Sequence, residues 1–203
     1  MTICGTILAG GLARRMGGGD KALRELAGST ILDRTIARLR PHCAALAINA
    51  NGDPARFAGV GLPVIADAIE GYAGPLAGIL AGMDWGAETG ADWLVTAPAD
   101  CPFLPADFVP RLISGRETSK ADIVVAESGG RTHPVAALWH IGLREALRSH
   151  LMQDGSRKVE SWIKTQHSAA VVWPDAPYDP FFNVNTPEDL AIAEALIARG
   201  IAA

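Results

Sequence analysis

Short apolar runs alternate with helical patterns through the first half of this chain. That alternation predicts an α/β protein, a single doubly wound, mostly parallel sheet with helices on both faces in the Rossmann-like manner. Two further observations agree. Polar or glycine residues (Gly10, Asn49, Asp67 and Asp100) follow directly on four of the apolar runs. In open parallel sheets ligands sit outside the carboxyl ends of the strands. The 203 residues, 49% hydrophobic, suffice for one sizeable core, and neither an internal repeat nor a long linker divides them. One domain over residues 1–203 is the expectation.

The elements follow in order. Ile3–Leu8 is the first strand, stopped by the paired glycines Gly10-Gly11. Leu23–Leu26 reads as a short extended piece. Thr30, with Asp33 three residues on, makes a capping-box start. Leu32, Ile36 and Leu39 then repeat at helical spacing, and Pro41 closes the pattern. Ala44–Ala50 and Pro63–Ala66 are the second and third strands, the latter ending at Asp67. Leu76, Ile79, Leu80 and Met83 line one helical face behind Gly74-Pro75. Asp92–Ala97 is the fourth strand, closed by Pro98-Ala99-Asp100-Cys101-Pro102. Leu104–Ile113 reads as a helix and Asp122–Ala126 as the fifth strand. The second half is less regular, with strands at Val135–Trp139 and Ala169–Trp173 and helices at Leu143–Leu151 and Lys158–Ile163. A proline-rich stretch leads to Phe181-Phe182-Asn183-Val184-Asn185. Thr186 and Pro187 then open a terminal helix as N-cap and first helical residue.

Composition removes several function classes. The net charge is −4 and the pI about 5.7, against pI values above about 9 for typical nucleic-acid-binding domains. Any anion must be held by a local cluster, and Arg14, Arg15 and Lys21 are the densest one on a glycine loop. The odd set Cys4, Cys43 and Cys101 lacks zinc-ligand spacing and reads as free thiols in a reducing compartment. No apolar run reaches the roughly 18 residues of a membrane span, and the N-terminus lacks the basic start of a signal peptide. A soluble, cytoplasmic protein that binds neither nucleic acid nor membrane is expected.

The stretch Thr6–Lys21, TILAGGLARRMGGGDK, is a strand ending in a glycine turn that carries cations. Such a turn brings backbone N–H groups and positive charge to a phosphate chain. It is neither a P-loop nor a dinucleotide fingerprint, since G-x-x-x-x-G-K-[ST] and G-x-G-x-x-G are both absent. Asp100, after an apolar strand and between Pro98 and Pro102, is the best candidate for Mg²⁺, which takes one or two carboxylates plus phosphate oxygens and water. Taken alone, these residues read as a nucleotide-binding α/β protein engaged in phosphate chemistry.

Leu8 to Lys21 resembles the signature of nucleotidyltransferases, L-A-[GA]-G followed by R-M-G and K. Further blocks extend the resemblance along the chain: NAN at Asn49–Asn51, IADAIEGYAGPLAGIL at Ile65–Leu80, PADCPFLP at Pro98–Pro105, His133-Pro134, and FNVNTPEDL at Phe182–Leu190. In that order they resemble the molybdenum cofactor guanylyltransferases. The resemblance implies transfer of GMP from GTP to the terminal phosphate of molybdopterin, with pyrophosphate released and Mg²⁺ as cofactor. It also implies that Leu8, Ala9, Gly10, Gly11, Lys21, Asn49, Asp67, Gly74, Gly78 and Asp100 bind the nucleotide. Arg15, Lys21 and Asp100 would carry catalysis, with Asp100 also on the metal. Arg157, Lys158, Asn183 and Asn185 fall on the acceptor side. Residues 1–120 would thus be mainly the nucleotide half and 121–203 mainly the acceptor half, with transient contact to molybdoenzymes or their chaperones. A sugar-phosphate or cytidylyl sister enzyme and a catalytically silent GTP-binding module are the rival readings.

Three kinds of residue carry plainer expectations. His133 reads as a structural hydrogen bond or an acceptor-pocket contact, because transfer to a phosphate acceptor needs no proton removed. Cys101 reads as a small packed thiol. Most of the five tryptophans belong to the core, with one or two left as candidates for a pterin pocket.

Overall fold

The structure is a computed structural model, and it describes residues 1–10, 20–69, 74–153 and 157–202. In chain order the elements are β1 (Ile3–Leu8), β2 (Glu25–Leu26), β3 (Ser29–Thr30), α1 (Ile31–Leu39), β4 (Ala45–Asn49), β5 (Val64–Ile65), α2 (Pro75–Glu88), β6 (Trp93–Pro98), α3 (Phe108–Ser119), β7 (Ile123–Ser128), β8 (Arg131–His140), α4 (Arg144–Met152), α5 (Val159–Ile163), β9 (Ser168–Trp173) and α6 (Pro187–Ala198). Seven strands form the main sheet in the order β5-β4-β1-β6-β8-β7-β9, and β2-β3 is a small separate hairpin. All neighbours in the main sheet are parallel except β8, which runs antiparallel to both β6 and β7. The α/β fold expected from the alternation is present, mixed at one strand.

Successive strand residues face opposite layers. Val95 joins Leu32, Ile36, Leu39, Phe108 and Leu112 in a core beneath α1 and α3. Its neighbour Leu94 faces the other way, with Leu76, Ile79, Met83, Leu147 and Trp162 beneath α2, α4 and α5. A smaller core collects Leu26, Ile31, Phe103, Val184 and Ala193 around α6. Both expected N-caps are present. Thr30 Oγ1 accepts from Asp33 N at 3.0 Å, and Thr186 Oγ1 accepts from Asp189 N at 3.2 Å.

Two elements differ from the sequence reading by more than two residues. The helix expected at Leu104–Ile113 begins at Phe108 and runs to Ser119, because a residue before proline is disfavoured in the helical region and Leu104 precedes Pro105. The expected strand at Val135–Trp139 is the longer β8. Gly129 and Gly130 have φ of +54° and +71°, the two successive positive values that a tight hairpin between β7 and β8 requires. The β7–β8 ladder then jumps: Val125 pairs with Ala137 but Ala126 pairs with His133. Pro134, Val135 and Ala136 are left as a bulge against β7. Proline has no N–H to give a ladder, which suits it to a bulge. Thr96 Oγ1 fastens the bulge by donating to Val135 O at 2.6 Å.

The three cysteines are free thiols. Among the described residues no helix is long and apolar enough to cross a membrane.

Candidate functional site

The parallel strands end in register. Leu8 pairs with Asn49 on one side and Pro98 on the other, and Asn49 pairs with Ile65. The residues two positions beyond that row are Gly10, Asn51, Asp67 and Asp100. All four line one cleft of about 460 Å³, with Leu8, Asn49, Gly74, Pro98, Val135 and Asn183. Backbone bonds carry the ladder past the strand ends: Ala9 N donates to Asn49 O at 2.8 Å and Ala99 N to Leu8 O at 3.0 Å. Four separated sequence positions thus become neighbours through strand register alone.

Asp67 is held through both carboxylate oxygens and its backbone N–H. Asn49 Nδ2 donates to Asp67 Oδ1 at 3.1 Å, and Asn51 Nδ2 donates to Oδ2 at 2.7 Å. Asn51 Oδ1 accepts in return from Asp67 N at 2.9 Å. Asn51 was not among the expected site residues. The same two-residue offset from a strand end that marks Asp67 and Asp100 was the signal that could have found it.

The glycines separate into two kinds. A Cβ on Gly10, which lines this cleft, would meet no heavy atom of the described residues within 4 Å. Gly74 caps α2 with φ +153° and ψ 162°, a region essentially reserved for glycine. Gly78 lies behind the wall. A Cβ there would run into Asn49 Oδ1 and Leu8 Cδ2, so its close approach is to the protein, and it lets α2 seat Asn49 and Leu8.

A second, wider cleft of about 570 Å³ adjoins the first and shares Pro98, Val135 and Asn183 with it. Its own lining includes Arg131, His133, Glu160, Asp179, Phe181 and Asn185. Val135 reaches both clefts because it sits on the bulge. His133 stacks on Phe181 with ring centroids 4.6 Å apart, and its Nε2 is 2.7 Å from Ser128 Oγ. Burial lowers the His133 pKa, a shift opposed in part by Asp179.

Lys21 joins the two clefts. Its Nζ pairs with Asp100 Oδ2 at 2.9 Å and donates to Asn185 Oδ1 at 2.6 Å. The Asn183–Asn185 block is fastened to the Asp100 loop at two more points. Val184 N donates to Asp100 O at 2.9 Å, and Cys101 Sγ donates to Asn183 Oδ1 at 2.9 Å. Cys101 is 1% exposed, and burial, reinforced by the charges of Asp100 and Asp179, pushes its thiol pKa well above the usual value. It is a packed thiol, as expected, and donates to the Asn183 side chain.

Two hard oxygens, from Asp100 and Asn185, therefore already converge on one cationic group. That donor set fits Mg²⁺ or a similar ion, which binds few protein oxygens and completes its shell from phosphates and water. No cluster of three or more His, Cys, Asp or Glu exists among the described residues.

Of the expected residues, Leu8, Gly10, Asn49, Asp67, Gly74 and Asp100 meet in the first cleft, Asn185 is in the second and Asn183 is in both. Ala9 and Lys21 lie beside Asp100 in a small recess with Leu8 and Ala99. Gly11 and Arg15 lie outside the described residues. Arg157 and Lys158 are not among the residues lining either cleft, whereas Glu160 on the same segment is. No tryptophan lines either cleft. Trp93, Trp139, Trp162 and Trp173 are core residues.

The chain matches the family model described as the MobA-like NTP transferase domain over residues 5–171. It is 57% identical to the molybdenum cofactor guanylyltransferase of Nitrobacter hamburgensis, over 96% of this chain and 94% of that one. Its fold is shared with the molybdopterin-guanine dinucleotide biosynthesis protein A of Archaeoglobus fulgidus, at TM-score 0.73 and 23% identity over 97% and 99% of the two chains. A Mycobacterium tuberculosis protein solved as a complex with manganese matches at TM-score 0.69 and 16% identity over 96% and 99%.

Proposed function

The chain belongs to the MobA-like NTP transferase family, and we propose that it transfers GMP from GTP to the terminal phosphate of molybdopterin. Guanylyl transfer in molybdenum cofactor biosynthesis is what its curated relatives are named for. The observation that carries the reading here is the wall of Pro98, Val135 and Asn183 common to two clefts. A two-substrate transfer needs donor and acceptor to meet across one boundary, and effective molarity rewards holding them there.

In this reading GTP occupies the narrower cleft, with its base and ribose side toward Asn49 and Asp67 and its phosphates over the Gly10 backbone. Molybdopterin occupies the wider one. An oxygen of its phosphate attacks the α-phosphorus in line, a new P–O bond forms, the bond to the β-phosphate oxygen breaks, and pyrophosphate leaves. The attacking oxygen carries no proton at neutral pH, so no general base is required and positioning and charge stabilisation carry the reaction. Lys21 and Arg15 balance the charge of the leaving pyrophosphate. Asn183 and Asn185 hold the acceptor phosphate, with Arg157 and Lys158 as more distant contributors. Mg²⁺, when bound, screens the repulsion between the two anionic reactants, and Asp100 with Asn185 would hold it. Residues 1–120 supply most of the nucleotide side and residues 121–203 most of the acceptor side. Val135 and Asn183 cross that division in one direction, and Pro98 and Cys101 in the other. Hand-over of the product to a molybdoenzyme or its chaperone, in the cytoplasm, completes the proposal.

Pyrophosphate release from GTP plus molybdopterin, with and without Mg²⁺, tests it. Release that requires both substrates and the metal, and that is not supported by CTP, is the expected result. Release with CTP but not GTP overturns the base assignment, and GTP binding without release overturns the enzymatic one.

A further inference from the structure

We propose that His133 and Asp179, positioned by the buried Ser128, form the subsite that reads the pterin ring of the acceptor, in the part of the wider cleft that it does not share with the narrower one. The proposal rests on molybdopterin being the acceptor.

Ser128 Oγ lies 2.7 Å from Asp179 Oδ1 and 2.7 Å from His133 Nε2. An ionised carboxylate only accepts, so the single hydroxyl hydrogen goes to Asp179. His133 must then donate from Nε2. This fixes the neutral ring in one tautomer and leaves Nδ1 as its remaining hydrogen-bonding atom, an acceptor. Stacking on Phe181 fixes the plane of the ring. Asp179 Oδ1 also accepts from Phe181 N at 2.9 Å, which fills its two lone pairs. Oδ2 is left for a ligand, with Arg131 Nη2 at 4.0 Å.

Two acceptors and a neighbouring cation on one cleft complement a donor–donor–acceptor edge. A pterin carries such an edge in its exocyclic amine, its ring N3–H and its C4 carbonyl. An acceptor phosphate has the opposite preference. Asp179 and Glu160, opposed among the described lining residues by Arg131 alone, leave their part of the cleft net negative and repel it, while Asn183 and Asn185 offer amide donors beside the narrower cleft. The charge layout of the cleft therefore sets the direction in which the acceptor lies, ring toward Asp179 and phosphate toward the nucleotide.

The test uses 6-hydroxymethylpterin phosphate and the matching lumazine phosphate, in which a carbonyl replaces the exocyclic amine. Their binding to the intact protein is followed by pteridine fluorescence. The pterin compound is expected to bind about tenfold or more tightly, since its analogue sets an acceptor against an acceptor. Asp179→Asn should remove most of that preference, Ser128→Ala should reduce it by releasing the His133 tautomer, and both should leave GTP affinity unchanged. Equal affinity of the unmodified protein for the two compounds overturns the proposal. So does the absence of pterin binding at roughly millimolar concentration, or an Asp179→Asn variant that keeps the preference. A normal pterin preference without GTP-dependent pyrophosphate release would overturn the functional reading and leave this subsite standing.

Discussion

The two clefts are built by different means. The narrower one is made by sheet topology: parallel strands end in one row, and the residues two steps further become its rim. The wider one is made by exceptions to that topology. An antiparallel strand enters the sheet, a bulge that begins at Pro134 lifts Val135 out of its ladder, and a C-terminal block is tied down by Lys21, Cys101 and a backbone bond. Register spreads the support of each residue over the whole sheet. Side-chain ties concentrate it in a few contacts. Substitutions should therefore affect function alone at the rim of the first cleft and weaken attachment in the second.

The largest expected effect is at the junction. Asp100→Ala removes the carboxylate that pairs with Lys21, and turnover should fall by about 10²–10³ or more, as when a transition-state charge stabiliser is lost. Pyrophosphate release measures this, and an unchanged far-UV spectrum shows that the fold persists. Near-normal activity would remove Asp100 from the site.

Gly78→Ala and Gly10→Ala sharpen the contrast between supporting and lining residues. Forcing a methyl against Asn49 and Leu8 at Gly78 should cost about 1–3 kcal/mol, as overpacking does. For a chain of this size that is a fall of roughly 2–4 °C in Tm per kcal/mol. Gly10→Ala meets no atom of the described residues and should leave Tm in place while weakening GTP binding about tenfold, because the proposed site brings the phosphates to that backbone. Equal effects of the two on Tm would break the distinction.

The smallest effect tests the ties of the second cleft. Cys101→Ala loses a buried donor to Asn183 and a small volume, and should cost about 1 kcal/mol in denaturant unfolding. The fastened Asn183–Asn185 block should loosen more than the first cleft does, read as faster amide exchange at Val184 than at Ala9 and Ala50. The native thiol should resist alkylation, since it is buried and its pKa is raised.

The same contrast explains how much could be read from the chain. Strand ends are marked locally, by an apolar run that stops at Gly10, Asn49, Asp67 or Asp100, so the first cleft was legible almost residue by residue. Asn51 escaped because its partner Asp67 is set by pairing between β4 and β5. Gly78 came from the resemblance alone, and its packing against Asn49 and Leu8 is a contact between distant segments that the chain does not mark locally. In the second cleft the meeting of Ser128, His133 and Asp179 depends on the Gly129-Gly130 hairpin and on a loop 51 residues from Ser128. The resemblance supplied Asn183 and Asn185, but their tether through Cys101 is a contact between distant segments with no sequence period.

In the proposed reaction, catalysis occurs where the two clefts share the Pro98–Val135–Asn183 wall. A crystal structure with GTP and Mg²⁺ tests it most directly. The base and ribose are expected beside Asn49 and Asp67, the metal on Asp100, and the α-phosphate at the shared wall facing Asn183. GTP bound among Arg131, His133 and Asp179, with the Gly10 cleft empty, would contradict it.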